Sequence, residues 1–274
     1  MLERVQIDDS RWSRPLAPAE LEQALQGRRV EKLRRRGKYL VWELSDEMFL
    51  IAHLRMTGTF LWQPAQIPPH ARVTIGLDDG SMLVYNDPRR FGTGELARGP
   101  HELEAFFAAR LGVEPLSAEF TPVYLRARAR LSRAPIKAFL LDQTKIAGVG
   151  NIYADEALFR ARIHPLRPAQ RLTPSQSVAL RDSVVAVLEA GIAARGSSID
   201  DYRDPDGVAG SFQDRFHVYS REGLPCSNCG RPIRKLRVAG RGTYVCERCQ
   251  PRPRAVRRLA SPPAGRPDRH ARAH

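Results

Sequence analysis

All four cysteines of this chain stand in one block near its C-terminus: Cys226, Cys229, Cys246 and Cys249. They fall as C-x2-C, a spacer of sixteen residues, and a second C-x2-C. Two short knuckles of this kind can turn four thiolates toward one tetrahedral Zn²⁺. The spacer, Gly230 to Val245, has room for a β-hairpin. The competing reading is two disulfides or four unrelated thiols. The regular spacing argues against it, as does an N-terminus with no basic-then-apolar signal pattern. Four thiolates leave no open position for a catalytic water, so a single zinc ion here is expected to be structural. Cysteines used by a metal rather than by bridges fit a reducing cytoplasm.

Charge supplies the second constraint. The chain has 44 Lys and Arg against 30 Asp and Glu, a net charge of +14. Residues 251–274 contribute seven Arg and one Asp, so this tail carries +6 and the rest of the chain +8. A body that is basic in its own right implies a polyanionic partner, with nucleic acid the first candidate. Solubility or adherence to a membrane surface is the blander reading of such charge. No apolar run approaches the length needed to span a bilayer, so no membrane partner is expected. A length of 274 residues allows one or two domains with a sizeable core.

Residues 28–95 read as β-structure. The apolar runs Lys38–Leu44 and Met48–Leu54 flank Ser45-Asp46-Glu47, and Arg72–Leu77 and Ser81–Tyr85 flank Asp78-Asp79-Gly80. Each pair predicts a hairpin, and repeated short strands predict a sandwich or barrel. From about Ala118 the period becomes helical. A helix is expected over Ile136–Leu141. The turn Ile146–Gly150 follows, and a second helix runs from Asn151 to about Ala161. A third starts at Thr173, with Pro174 in its first turn and Gln176 completing a capping box. Its expected apolar stripe is Val178, Val184, Val185, Leu188 and Ile192, and it is expected to end near Gly196. Residues 196–214, rich in Gly, Ser and Asp, read as a mobile loop, either lid or linker. The tail's five Pro and seven Arg read as disorder.

Four segments, taken in order, resemble the formamidopyrimidine-DNA glycosylase family, of which endonuclease VIII enzymes are relatives. They are Arg35–Tyr39, Asp87–Gly92, Gly148–Ala154, and the cysteine block with Arg241–Cys246. The resemblance extends from about Val5 to Gln250. It implies an α+β, two-domain enzyme whose N-terminal β-sandwich and C-terminal helical domain enclose a DNA-binding cleft. The helical domain would carry a helix–two-turn–helix and a four-cysteine zinc-finger β-hairpin. The expected divisions are a sandwich over 1–98, truncated at its start, a linker over 99–117, the helical domain with its lid loop over 118–218, the zinc finger over 219–250, and the basic tail beyond.

The implied activity is base-excision repair. A DNA-formamidopyrimidine glycosylase removes oxidised purines such as 8-oxoguanine from duplex DNA and then cleaves the strand as an abasic-site lyase. A base inside a duplex is unreachable, so it must be extruded and its place filled. By resemblance the filling wedge is Met56, Arg89 and Phe91, with Arg89 facing the widowed cytosine. Core packing is the ordinary reading of Met56 or Phe91 alone, but the neighbouring glycines and Pro88 suggest exposed loop tips. The resemblance makes His70, Arg89, Arg133 and Asn151 DNA-binding residues. Asn151 also opens a helix after a glycine-rich turn, where free N–H groups favour an anion. For Arg133 the plain alternative is one surface charge among many. Lys38 and Arg241 match the lysine and arginine that assist elimination at the lesion. Lys38 could equally belong to a solvated basic run, and nothing in the sequence obviously depresses its pKa. Glu156 matches a glutamate near the damaged base, or serves as a structural anion in the first turns of its helix. The lid would span about Ser197 to Phe212.

The family's sugar-attacking amine belongs to an N-terminal proline, followed by a glutamate acid, on an opening helix. Met1–Val5 match instead the strand after that helix, and Glu3 takes no acid role. The leading expectation is a start placed too far downstream. The alternatives are a lesion-binding protein without excision, and a surrogate amine, for which Lys38 is the better candidate. Without that helix, some exposed apolar surface is expected. Arg55 is a smaller departure, since the family usually has Gly there. A zinc-ribbon RNA-binding or transcription protein is the rival of another class. It leaves the Asp87–Gly92 loop unexplained. A monomer in the cytoplasm, associated with the nucleoid and bound to damaged double-stranded DNA, completes the expectation.

Overall fold

A computed structural model of the chain describes residues 1–198 and 208–253. The middle of the expected lid and nearly all of the basic tail lie outside the described residues. Two four-stranded antiparallel sheets build the N-terminal half. The first pairs β1 (Leu2–Ile7), β6 (Ala71–Leu77), β7 (Met82–Asn86) and β5 (Thr59–Trp62) in that order. The second pairs β2 (Val30–Arg36), β3 (Tyr39–Leu44), β4 (Met48–His53) and β8 (Thr93–Arg98). Both predicted hairpins form, β3 with β4 and β6 with β7.

Strand alternation explains why β3 and β4 read as nearly continuous apolar runs. Trp42, Leu44, Leu50 and Ala52 face the first sheet, where they meet Val5, Phe60, Val73, Ile75 and Tyr85. Helix α1 (Pro18–Leu25) adds Leu21 and Leu25 to this core. Val41, Phe49 and Ile51 point the other way, against Leu103 and Phe107 of helix α2 (Gly99–Ala108). A strand covered on both faces needs apolar residues at every position. The stretch 99–117, expected as a linker, therefore holds a helix that closes the back of the second sheet. One end of the sandwich stays open, as a groove of about 600 Å³ whose lining includes Leu33, Leu40, Trp42, Phe60, Trp62 and Leu83.

The helical half contains α3 (Pro122–Arg130), α4 (Ile136–Leu141), α5 (Asn151–Arg160) and α6 (Pro174–Ala193) around one core. The capping box at Thr173 and Gln176 forms as expected. The stripe of α6 is corrected at two positions. Ser177, Leu180, Ser183, Val184, Val187 and Gly191 are its buried positions and Val185 and Leu188 pack partly buried on the same core, whereas Val178 and Ile192 are exposed. The spacing of three and four from Ser177 selects a face that turns Val178 and Ile192 away from the core. Gly191 lies in that face because Tyr153 of α5 crosses it: a Cβ there would stand 2.5 Å from the tyrosine ring. Strands β9 (Arg234–Val238) and β10 (Arg241–Val245) form the expected hairpin between the cysteine pairs. No helix among the described residues is long and apolar enough to cross a membrane.

Candidate nucleic-acid interface and active site

Two loops emerge side by side from the sandwich: 54–58, between β4 and β5, and 87–92, between β7 and β8. One buried carboxylate holds both. Asp87 Oδ1 accepts from Thr57 Oγ1 at 2.6 Å and from Arg89 N at 3.2 Å. Its Oδ2 accepts from Tyr85 Oη at 3.2 Å and from Phe91 N and Gly92 N, each at 2.9 Å. Burial alone would raise the Asp87 pKa. The bonds from Thr57, Gly92, Phe91 and Tyr85 outweigh it and hold the carboxyl below its ordinary value. Glycine is obligatory beside this hub, since a Cβ at Gly58 or Gly92 would collide with the Tyr85 hydroxyl.

So anchored, the loop tips project outward. Met56 is 69% exposed and Phe91 50%. Neither is a core residue. The exposed Arg89 guanidinium lies 4.7 Å above the Phe91 ring. Its neighbour Arg90 adopts φ 58° and turns back to clasp buried Asp9 through two bonds of 2.6 and 2.8 Å. The two adjacent arginines thus divide between structure and surface. His70 is exposed beside this loop, and its carbonyl accepts from Asp87 N at 3.0 Å.

Lys38 sits where the two halves meet. The β2–β3 turn at Gly37 is pinned by Glu114, which accepts from Gly37 N and from Arg35. Gly148 packs on the Gly37 backbone, where a Cβ would stand 3.7 Å from the Gly37 carbonyl oxygen. Lys38 Nζ crosses this seam to donate to Val149 O at 2.9 Å. Gln143 fixes the receiving turn, accepting from Gly148 N and donating to Val149 O. Lys38 is exposed as a residue, with its amine held against the Val149 carbonyl. Burial, then the charges of Arg241 and Arg55, lower the amine pKa to about 8. This corrects the sequence reading, which finds nothing to depress it: the causes come from distant segments. His53 is lowered to about 4 by burial, then by Arg55 and Lys38, and is neutral at pH 7.

Helix α5 opens at Gly150 with no side-chain cap hydrogen bond, and a helix N-terminus favours an anion. Asn151 does not turn its amide outward. Its Nδ2 donates to Gly242 O of β10 at 3.2 Å. Arg133 is exposed in the loop before α4, and its neighbours are pinned by Gln170 N to Ser132 O and Ala169 N to Ala134 O, both 2.9 Å.

The hairpin turns tightly through Ala239 and Gly240, both at positive φ, which presents Arg241 at the start of β10. A fully buried ion pair docks that strand. Lys137 of α4 lies 2.8 Å from Asp155 of α5. Lys137 also donates to Gly242 O and Thr243 Oγ1, at 2.9 and 2.7 Å, while Asp155 accepts from Tyr244 N at 3.0 Å. Burial raises the Asp155 pKa to about 6 against the pull of Lys137. Arg241 is thereby fixed close enough for its charge to act on Lys38.

At the other end of the hairpin the four cysteine sulfurs lie within 4.8 Å of one another. Pairs at 3.4 and 3.9 Å are too long for a disulfide and bracket the roughly 3.8 Å between sulfurs of a tetrahedral zinc thiolate. The donor set fits one structural Zn²⁺. Buried Gln250 joins the second knuckle to the helical domain, accepting from Cys246 N and donating to Ile163 O.

Residues 1–94 match the family model described as the formamidopyrimidine-DNA glycosylase N-terminal domain, and 111–203 match the corresponding H2TH domain. Residues 223–252 match the zinc finger found in FPG and IleRS. A formamidopyrimidine-DNA glycosylase of Thermus thermophilus is 47% identical over 228 residues, 82% of this chain and 84% of that protein. The chain belongs to the formamidopyrimidine-DNA glycosylase family. A family member of Roseiflexus sp. is 44% identical over 253 residues, 90% of this chain and 91% of that one. Among solved structures, the MutM (Fpg) protein of Thermus thermophilus superposes with a TM-score of 0.82 at 43% identity, covering 91% of each chain. The Lactococcus lactis Fpg in complex with abasic-site DNA gives 0.85 at 37% identity, covering 92% of each.

For a member of this glycosylase family, the residues read from sequence fall into two groups. Met56, Arg89, Phe91 and His70 gather on the sandwich loops, while Lys38, Asn151 and Arg241 meet around the seam and hairpin. Glu156 is buried and holds the chain at 217–219. Its buried carboxylate accepts from the N–H groups of His217, Val218 and Tyr219 at 2.9–3.1 Å. Sequence reading missed Asp87 as the organiser of the 54–58 and 87–92 loops, although an Asp opening a turn before Pro88 is a signal for such bonds. It also missed Lys137 and Asp155, for which no local pattern exists.

Proposed function

We propose that this protein recognises oxidised purines in duplex DNA, extrudes the damaged nucleotide, removes the base and cleaves the strand at the resulting abasic site. One observation carries the reading: an apolar–arginine–apolar set, Met56, Arg89 and Phe91, stands exposed on two loops locked to one buried carboxylate. Apolar side chains held in water by a rigid base suit insertion into a base stack, where their burial offsets the unstacking. Phosphates near the extruded nucleotide would meet the open N-terminus of α5 and the cations Arg133, His70 and Arg241. Glycosidic cleavage through an amine proceeds by attack on C1′, with the base departing with the bonding electrons. The Schiff base then acidifies the C2′ proton, and its removal expels the 3′ phosphate. Lys38, with its amine near pKa 8 beside Arg241, is placed to assist that elimination. The protein would act as a monomer on the nucleoid.

Borohydride trapping on an 8-oxoguanine duplex, set against an intact duplex, tests this reading. The expected result is preferential binding, base release and a covalent adduct. Preferential binding without an adduct would support a recognition protein of the same fold that does not excise. Equal treatment of damaged and intact duplexes would overturn the reading.

A further inference from the structure

The turn that presents Met56 contains a residue whose conformation and charge are both unfavourable in the free protein. Arg55 adopts φ 58°, in the left-handed region where Cβ crowds the backbone and glycine is the ordinary choice. The turn cannot relax around it. Gly58 N bonds to Leu54 O at 3.1 Å, Thr57 is tied to Asp87 at 2.6 Å, and Arg55 N itself donates to His53 Nδ1 at 2.9 Å. The Arg55 side chain is exposed and has no hydrogen bond or ion pair among the described residues. Its charge nevertheless reaches Lys38 and His53, and Lys38 also feels Arg241. An unpaired cation is thus held within reach of Lys38, on a strained backbone, one residue before Met56. Strained, over-determined backbone of this kind concentrates at functional sites.

We propose that Arg55 is a further DNA-contact residue, whose guanidinium binds a backbone phosphate flanking the extruded nucleotide as Met56 enters the stack. This rests on the glycosylase reading above and adds a residue to it. A phosphate would pair the free charge and relieve its repulsion of Lys38. Wedge insertion and neutralisation of the cleft would then be one event.

The test is equilibrium binding of a duplex containing a tetrahydrofuran abasic analogue, over a salt series, for the full chain and its Arg55→Gly and Arg55→Lys variants. Glycine suits the observed φ, so Arg55→Gly is expected to keep or raise the thermal midpoint and leave Met56 in place. Its slope of log K against log salt should flatten by about 0.9, the value for one lost phosphate contact, with affinity several-fold weaker at low salt. Arg55→Lys should retain the parental slope. If the parent binds the duplex and Arg55→Gly has the parental slope and affinity, this inference alone fails. It also fails if Arg55→Lys is as flat as Arg55→Gly, because charge is then not what acts. A parent with no salt-dependent binding of the duplex would sink both this inference and the glycosylase reading.

Discussion

The two halves of the molecule each hold their outward-facing residues through one buried aspartate, and they do so by opposite chemistry. The Asp87 carboxylate in the sandwich gathers only uncharged donors, three of them backbone N–H groups within five residues of itself. Asp155 in the helical half faces an ammonium group and bonds to a strand 89 residues further along the chain. The first arrangement shapes two loops inside one domain. The second docks a metal-bound hairpin that has little core of its own. A loop tip needs only local satisfaction of its donors, whereas a separately folded module needs a connection whose loss is expensive.

Removing zinc tests that contrast most severely. Chelation should unfold the finger, because structural zinc supplies on the order of 10 kcal/mol of folding free energy in such modules. Hydrogen exchange should then lose protection over β9 and β10 and keep it at Phe91 and Gly92. Next in size is Lys137→Met. It strands a buried carboxylate and should cost about 3–5 kcal/mol in urea unfolding. A companion Lys137→Met/Asp155→Leu double variant should recover much of that loss. If the single variant cost under about 1 kcal/mol, the buried pair would not be what docks the hairpin. Asp87→Asn should cost less, about 2–3 kcal/mol, since an amide still accepts some of the bonds. Its exchange signature should be the mirror image of zinc loss, with the 54–58 and 87–92 loops deprotected and the hairpin unchanged.

The smallest expected effect lies at the seam between the halves. Lys38 should titrate near pH 8, read by the pH dependence of its reductive methylation. Removing the neighbouring charge by Arg241→Ala makes the ammonium form easier to keep. The midpoint should therefore rise toward the ordinary 10.5, and the neutral fraction at pH 8 should fall. An unmoved midpoint would mean that Arg241 does not reach Lys38 and that the hairpin is not docked where the buried pair holds it.

How far the sequence discloses this arrangement follows from the range of the forces involved. Short-range features are legible. Asp- and Gly-containing turns between apolar runs mark both hairpins, a Thr-Pro-x-Gln step marks the start of α6, and two knuckles mark the metal site. The segments around Met56 and Phe91 are recognisable as motifs. Their exposure is not, because Met56 and Phe91 would suit a core equally well, and only the Asp87 hub with the Tyr85 hydroxyl against Gly58 and Gly92 turns them outward. Helix α1 escapes notice since its two buried leucines gain meaning only against the sandwich. Two positions of the α6 stripe, Val178 and Ile192, are misread for the same reason: packing against Tyr153 and Leu180 decides which face is covered. The Lys38 environment is the least legible of all, being assembled from Arg55, Val149 and Arg241.

Because the Lys38 amine rests on a carbonyl contributed by the opposite half, its protonation doubles as a gauge of how far the two halves stand apart. Any event that pries the halves open would remove that acceptor and let water in, and any event that presses them together would do the reverse. An isotopically labelled methyl group on this one nitrogen would therefore report jaw opening in solution, without a dye and without altering either jaw.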